Sequence, residues 1–171
     1  MLNSASDLTR EQALHLLADL AKRWLAHDGL WFQSIEAEHG MEDAIRHDID
    51  AWRKFTVLEA KRIMEFLGLP ANGGLDALAR ALRFRLYAFI NVQEIIRPDD
   101  KTLIFRMNDC RVQSARKRKG LPDFPCKPVG IEEYTLFAAT IDSRIKTRCL
   151  ACPPDAHPEE FWCGWEFILQ E

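Results

Sequence analysis

The hydrophobic residues change their spacing once along this chain, near Tyr87, and that change limits the folds available to it. Before Tyr87, apolar residues recur every three or four positions, the period of an amphipathic helix. Beyond it, Leu103, Phe105 and Met107 occupy alternate positions, the period of a β-strand. Helices followed by strands favour an α+β fold, with N-terminal helices packed on a roughly four-stranded antiparallel sheet in the C-terminal half. With 171 residues we expect one domain over 1–171, with a helical half at 1–85 and a strand-rich, cysteine-bearing half at 86–171.

Glycines and capping boxes set the expected limits of the helices. Thr9–Gln12 has the form of a capping box, which opens the first helix. Asp28-Gly29 is expected to end this helix, because glycine accepts the left-handed cap conformation. A second capping box at Thr56–Glu59 predicts a helix that runs to Gly68. The five helices of this half are expected to begin near residues 9, 30, 41, 56 and 75.

The C-terminal half is expected to carry the sheet and two further helices. Its strands are predicted at Tyr87–Ile96, Thr102–Asp109, Ile145–Cys152 and Phe161–Leu169, and its helices at Cys110–Lys119 and Ile131–Ile141. The first two strands form a hairpin, and the last two are expected to form another. If Ala151 pairs with Phe161 in that second hairpin, Cys149 lies opposite Cys163 and both point into the core.

All five cysteines lie between Cys110 and Cys163, which suggests one site. The spacing Cys149-x-x-Cys152 lets one turn present two thiolates to a single ion. Cys110 and Cys126 would complete four sulfur ligands for zinc or an iron–sulfur cluster. These four cysteines are expected at the ends of elements, where the backbone can bend to bring their sulfurs together.

Two other interpretations of the cysteines stay open. Exposed thiols of low pKa are redox-active, whereas free cysteines are also common as small buried residues. On a straight strand Cys149 and Cys152 would point to opposite faces, so a shared ion requires a turn between them. Cys163 shares the apolar face of the last strand with Phe161 and Trp165, so we interpret it as a core residue.

Charged and aromatic side chains gather in 27–48 and supply the candidate catalytic groups. Glu36 and His39 are three residues apart on one helix face and are candidates for an acid and base pair. Surface charge also explains them and is the interpretation that we favour, for Asp28 and Asp48 as well. The basic run 116–119 is interpreted as a solvated helix end, where cations suit the helix dipole, in preference to a binding site for an anionic substrate.

Charge and hydropathy exclude several classes of partner. The net charge of −3 and the pI of about 6.0 argue against nucleic acid. No apolar run approaches the roughly 18 residues of a membrane span, and the N-terminus lacks the pattern of a signal peptide. We therefore expect a cytoplasmic protein without a membrane partner, whose ligand is a small molecule.

Four segments resemble an uncharacterised family of bacterial and archaeal cytosolic proteins: His27–Phe32, Thr56–Ile63, Cys110–Gln113 and Arg148–Asp155. The resemblance covers nearly the whole chain, and the cysteine segment is its most specific part. More distantly, the layout is similar to L-2-amino-thiazoline-4-carboxylate hydrolase-like proteins and to the small-molecule-binding domain of vinyl-4-reductase type. That layout implies small-molecule binding but assigns no catalytic residue.

The leading hypothesis is a small-molecule-binding protein or hydrolase-like enzyme with a cysteine-ligated metal or cluster beside its pocket. A ligated cation can activate water, so a metal-dependent hydrolase acting on a small heterocycle or amide is the expected reaction. One alternative is a non-enzymatic redox or metal sensor that uses Cys149 and Cys152. The other is a binding module whose cysteines are structural.

Overall fold

Residues 3–171, which the computed structural model describes, form five α-helices and one antiparallel sheet of four strands. The helices are α1 (Arg10–His39), α2 (Met41–Leu67), α3 (Gly74–Leu82), α4 (Arg111–Arg118) and α5 (Lys127–Ile141). The strands are β1 (Val92–Asp99), β2 (Thr102–Asp109), β3 (Ile145–Ala151) and β4 (Cys163–Leu169). Short 3-10 helices span Ala5–Asp7 and Leu86–Phe89. The predicted α+β fold is therefore confirmed.

The helical half contains fewer and longer helices than the sequence indicated. The capping box at Thr9 is present, with the Thr9 side chain accepting from the Gln12 N–H. The predicted end at Asp28-Gly29 is wrong, since α1 passes through Gly29 and ends at Gly40. A glycine inside a helix costs only about 1 kcal/mol relative to alanine, and the apolar period continues on both sides of it.

The second predicted capping box is also wrong, because Thr56 lies inside α2. Its side chain is fully buried, and its hydroxyl donates a hydrogen bond of 3.0 Å to the Glu133 carbonyl oxygen in α5. The polar group that suggested a helix start is therefore used in a contact between helices. The predicted end of this helix at Gly68 is confirmed, with Gly68 in the left-handed conformation.

The sheet has the strand order β1-β2-β4-β3, with every neighbouring pair antiparallel. The predicted first strand begins later than expected, at Val92, because Tyr87 belongs to the 3-10 helix. Both predicted hairpin pairings occur. The predicted register of the second is wrong: Ala151 pairs with Gly164 and Cys149 pairs with Trp165. An irregularity between Cys149 and Ala151 shifts the pairing there.

The core lies between the sheet and the helices α3 and α5. Trp165 and Phe167 of β4 are buried, as the alternation predicted, and Cys163 is only 9% exposed. The Tyr134 ring of α5 stacks on Trp165 with ring centroids 4.8 Å apart. The helix α2 packs on the outer side of α5, and α1 packs on α2. Within 3–171, none of the helices is both long enough and apolar enough to cross a membrane.

Candidate functional site

A cavity of about 470 Å³ lies where the two long helices meet the cysteine-bearing half of the chain. Its wall includes side chains from α1, α2, α4 and α5, from the end of β2 and from β4. Volumes of this size are typical of pockets for small molecules. Residues far apart in sequence thus share one wall, and the chemistry of the site follows from which of them face each other.

Four of the five thiols line this cavity: Cys110, Cys126, Cys152 and Cys163. The sulfur atoms of Cys126 and Cys152 are 3.5 Å apart. Cys163 is buried, as predicted, but it also contributes to the cavity wall, which the sequence did not indicate. Cys149 of β3 pairs with Trp165 but is not part of that wall.

The predicted four-sulfur site is not assembled in this geometry. Of its proposed ligands, Cys126 and Cys152 are in contact, Cys110 lies in the same cavity wall and Cys149 lies outside it. Across 3–171, no three side chains of His, Cys, Asp or Glu are grouped so that they could hold a metal ion. The zinc or iron–sulfur cluster therefore stays a prediction.

Cys126 is held at the N-terminus of α5 by a buried glutamine from α4. Gln113 is 1% exposed, and its amide bonds both the carbonyl oxygen and the N–H of Phe124, at 2.8 and 2.9 Å. The same Gln113 nitrogen donates to the Cys126 sulfur at 3.6 Å. Cys126 is the N-cap residue of α5, where the helix dipole favours negative charge. These hydrogen bonds hold the proline-containing loop before α5 in place, and the Cys126 thiol lines the cavity.

The thiols differ in how readily they ionise. The hydrogen bond from Cys152 lowers the pKa of the Cys126 thiol, and the Gln113 amide acts in the same direction. The same contact raises the pKa of Cys152, which keeps its proton and acts as the donor. Burial raises the pKa of Cys110 to about 12 and also raises that of Cys149. Cys126 is the cavity thiol that the surroundings favour as a thiolate.

Two carboxyl groups occupy the helical end of the cavity. Asp28 comes from α1 and Asp48 from α2, and both line the cavity beside Trp52 and Tyr87. Burial, followed by the charges of Asp28 and Glu133, raises the pKa of Asp48 to about 7. Asp28 is exposed, and partial desolvation raises its pKa as well. Carboxyl groups with raised pKa in a cleft are typical of functional sites.

A buried arginine, Arg85, connects α2 and α5 at this end of the cavity. Arg85 is ion-paired with Glu59 of α2 at 2.8 Å and with Glu133 of α5 at 2.7 Å. Its guanidinium carbon lies 4.6 Å from the centre of the Phe137 ring. Both carboxylates neutralise the buried cation, so this network is structural support for the cavity wall.

The predicted catalytic pair, Glu36 and His39, does not lie in the cavity wall. Both Glu36 oxygens accept hydrogen bonds from Arg116, at 2.8 and 2.9 Å, and this pairing lowers the pKa of Glu36. His39 is exposed, 3.8 Å from Glu38. An acid and base role for the pair stays a prediction, while the observed geometry gives Glu36 an ion-pair role between α1 and α4.

The interpretation of the basic run as a solvated helix end is wrong for its first residue. Arg116 is 3% exposed, and besides Glu36 it bonds the Pro122 carbonyl oxygen at 2.8 Å. No local sequence pattern could indicate the burial of Arg116, since its acidic partner lies 80 positions away. Asp28 and Asp48 were interpreted as surface charges, and their convergence with Tyr87, Gln113 and Trp165 in one cavity wall depends on tertiary packing.

Comparison with known proteins places the whole cavity inside the range that one family pattern matches. The pattern of a family of unknown function, DUF6125, matches residues 6–169. The chain belongs to DUF6125. The match spans every helix and strand from α1 to β4, and so includes all the cavity residues of this DUF6125 chain. The predicted membership of an uncharacterised family is therefore confirmed, and no protein of curated function matches the chain.

Proposed function

We propose that this DUF6125 protein binds a small molecule in the 470 Å³ cavity and acts on it through the Cys126 thiolate. The observation that carries the proposal is the contact of 3.5 Å between Cys126 and Cys152 in the cavity wall, which lowers the pKa of Cys126. A cysteine near a helix N-terminus with a hydrogen-bond donor beside it is an activated nucleophile. Thiol chemistry is thus better supported than metal chemistry, whose four predicted ligands are not grouped.

Hydrolysis of a small amide or heterocycle is the reaction we propose. The thiolate would attack the carbonyl or imine carbon, the carbon–nitrogen bond would break, and the leaving nitrogen would take a proton from water. The hydroxide left by that water would then cleave the thioester formed from a carbonyl, or the thioimidate formed from an imine, releasing the acid or the amide and restoring the thiolate. The layout similar to L-2-amino-thiazoline-4-carboxylate hydrolase-like proteins supports this reaction class.

A panel of small amides and cyclic amidines, assayed with wild type, Cys126→Ser and Cys149→Ser, tests the proposal. Loss of a catalytic nucleophile lowers kcat by about 10³-fold or more, so Cys126→Ser should be inactive. Cys149→Ser is the matched control, because Cys149 lies outside the cavity wall, and it should keep wild-type activity. Full activity in Cys126→Ser would contradict the proposal.

A second candidate function is redox sensing by a reversible disulfide. The sequence suggested Cys149 and Cys152 as the pair, whereas the contact of 3.5 Å favours Cys126 and Cys152. Oxidation by hydrogen peroxide would join the two sulfurs, which would shorten their separation to about 2.05 Å, and would reduce the peroxide to two molecules of water. Non-reducing peptide mapping after peroxide treatment should find the Cys126–Cys152 link. A Cys149–Cys152 link would contradict this pairing.

A further inference from the structure

The long helix α1 is poorly covered by the rest of the chain. The structure describes all 30 of its residues, and among them Ala21 is the one that is buried. Both α1 and the neighbouring α2 nevertheless carry large apolar side chains at helical spacing. Seven of these side chains, which we call the α1–α2 face, are between 42% and 78% exposed: Leu14, Leu17, Leu20, Trp24, Phe55, Leu58 and Phe66.

The α1–α2 face belongs to a hairpin of two antiparallel helices. The two helices meet at Gly40 and pack on each other. Trp24 of α1 and Phe55 of α2 lie at similar distances in sequence from Gly40, and both line a groove of about 200 Å³. The face therefore has a hollow beside Phe55, while Phe66, further along α2, is the most exposed of the seven side chains.

The apolar area of the face is that expected for half of a dimer interface. An aromatic side chain presents roughly 200 Å², so the three exposed rings and the four half-exposed leucines leave on the order of 500 Å² in water. Two such faces packed together would remove about 1,000 Å² of apolar surface from water. Because homodimer interfaces are about 65% apolar, this corresponds to a total of roughly 1,500 Å², the standard size of a stable interface.

The charges at the two ends of the α1 stripe are complementary to those of a second copy. Arg10 precedes Leu14 by one helical turn and Asp28 follows Trp24 by one turn, and both charged residues are exposed. If two α1 helices pack antiparallel, Arg10 of each copy lies opposite Asp28 of the other, so the symmetry makes this ion pair twice. The centre of this pairing lies near Asp19.

The shape of the α2 stripe is complementary to its own copy in the same way. The groove beside Phe55 lies roughly 16 Å back along α2 from Phe66, at about 1.5 Å per residue. Antiparallel packing of two α2 helices would seat each Phe66 at the groove of the other copy, with its centre near Lys61. Lys61 and Asp19 are equally far in sequence from Gly40, so one two-fold axis that crosses both helices satisfies both pairings.

We propose that this DUF6125 chain forms a homodimer through the α1–α2 face, with α1 and α2 each antiparallel to its own copy. A two-fold interface needs one self-complementary surface, and the area, the end charges and the shape of this face all meet that condition. The groove shares Asp28, Asp48, Trp52 and Tyr87 with the larger cavity, so a second copy would also cover the helical end of that cavity. This inference does not depend on the proposed thiol chemistry.

The mass of the full chain in solution tests the proposal without any substitution. Sedimentation velocity and light scattering at about 50 µM should give twice the chain mass of 19.8 kDa, since interfaces of standard size bind in the micromolar range or tighter. A monomer at this concentration would overturn the proposal. A monomer that also binds vesicles of phosphatidylcholine and phosphatidylglycerol would assign the face to a lipid surface instead.

Glutamate substitutions locate the interface. Leu17→Glu and Phe66→Glu place a charge in the apolar contact and should each raise the dimer dissociation constant by at least about tenfold. Both side chains are exposed in the single chain, so circular dichroism should show unchanged helix content. Leu150→Glu is the matched control, because Leu150 is 42% exposed but lies in β3, and this variant should stay dimeric. Unchanged dimerisation of both Leu17→Glu and Phe66→Glu would overturn the assignment.

Exchange of the end charges tests the antiparallel arrangement and separates a second copy from any other partner. Arg10→Glu and Asp28→Arg should each weaken dimerisation by about fivefold, because each places like charges opposite one another. The variant that carries both substitutions should recover the dissociation constant of the wild type, since it restores the ion pair with its charges exchanged. A double variant that dimerises no better than the single ones would overturn the arrangement.

Discussion

At the scale of single residues, tertiary contacts decide the chemistry of the charged side chains. Glu36 and Glu38 lie two positions apart in α1, yet their surroundings differ. Glu36 receives two hydrogen bonds from the buried Arg116, and the side chain of Glu38 is 76% exposed. The sequence could mark both as acidic residues, but it could not show which of them had a buried partner.

Replacing Glu36 should therefore destabilise the fold. In Glu36→Gln, Arg116 loses its counter-charge while staying buried, and we expect the free energy of unfolding to fall by about 2 kcal/mol. Glu38→Gln should change it by less than about 0.5 kcal/mol, as is usual at the surface. Urea denaturation of both variants at pH 7 measures the difference. Equal stability of the two would show that the ion pair contributes nothing.

The lowered pKa of Glu36 also fixes the sign of a pH effect. Its folded-state pKa lies below the unfolded value, so the ion pair stabilises the fold above the unfolded pKa and is lost as pH falls through the folded one. The difference between wild type and Glu36→Gln should accordingly shrink on acidification.

At the scale of elements, glycines in helices have opposite roles that only the packing reveals. Among residues 3–171, no atom outside the neighbouring turns of α1 lies within 4 Å of the position that a Cβ on Gly29 would take. Gly130 in α5 lies against the indole of Trp165, and a Cβ there would be 2.6 Å from the ring atom Cζ2. Trp165 is fully buried under Tyr134, so its ring has little room to move.

Alanine substitutions at these two glycines should change stability in opposite directions. Gly29→Ala should stabilise the protein by up to about 1 kcal/mol, since alanine is the better helix former. Gly130→Ala should destabilise it by about 1–3 kcal/mol, because overpacking against Trp165 outweighs the helix propensity. Thermal unfolding of both variants provides the measurement. A stabilised Gly130→Ala would mean that the close packing of α5 on β4 is wrong.

Local sequence patterns predicted an element well where the element buries a single face or ends at a glycine. The alternation in β4 identified its buried residues, and Gly40 and Gly68 were correctly placed at helix ends. Local patterns failed at Gly29 and Thr56. The first was predicted to end a helix and the second to begin one, but both lie inside longer helices. Local patterns could not predict the β3–β4 register. An irregularity beside Cys149 shifts the strand pairing there, and nothing in the local sequence indicates it.

At the scale of the whole molecule, the cavity is made by long-range packing. Asp28 and Asp48 come from the helical half, and Cys110, Cys126, Cys152 and Cys163 come from the other. The clustering of cysteines in sequence correctly indicated a shared region. Their spacing favoured Cys149 with Cys152, whereas the fold brings Cys126 to Cys152, because Cys126 caps α5 beside the end of β3.

The most direct test of the central claim is the order in which the five thiols react in the native protein. Limited iodoacetamide treatment at several pH values, with peptide mapping, gives a rate for each cysteine. We expect Cys126 to react first, with a rate that reaches its plateau at a lower pH than a free thiol, because the thiolate is the reacting form. Cys152 and Cys163 should react slowly because they are buried. Faster modification of Cys149 or Cys110 than of Cys126 would contradict the account.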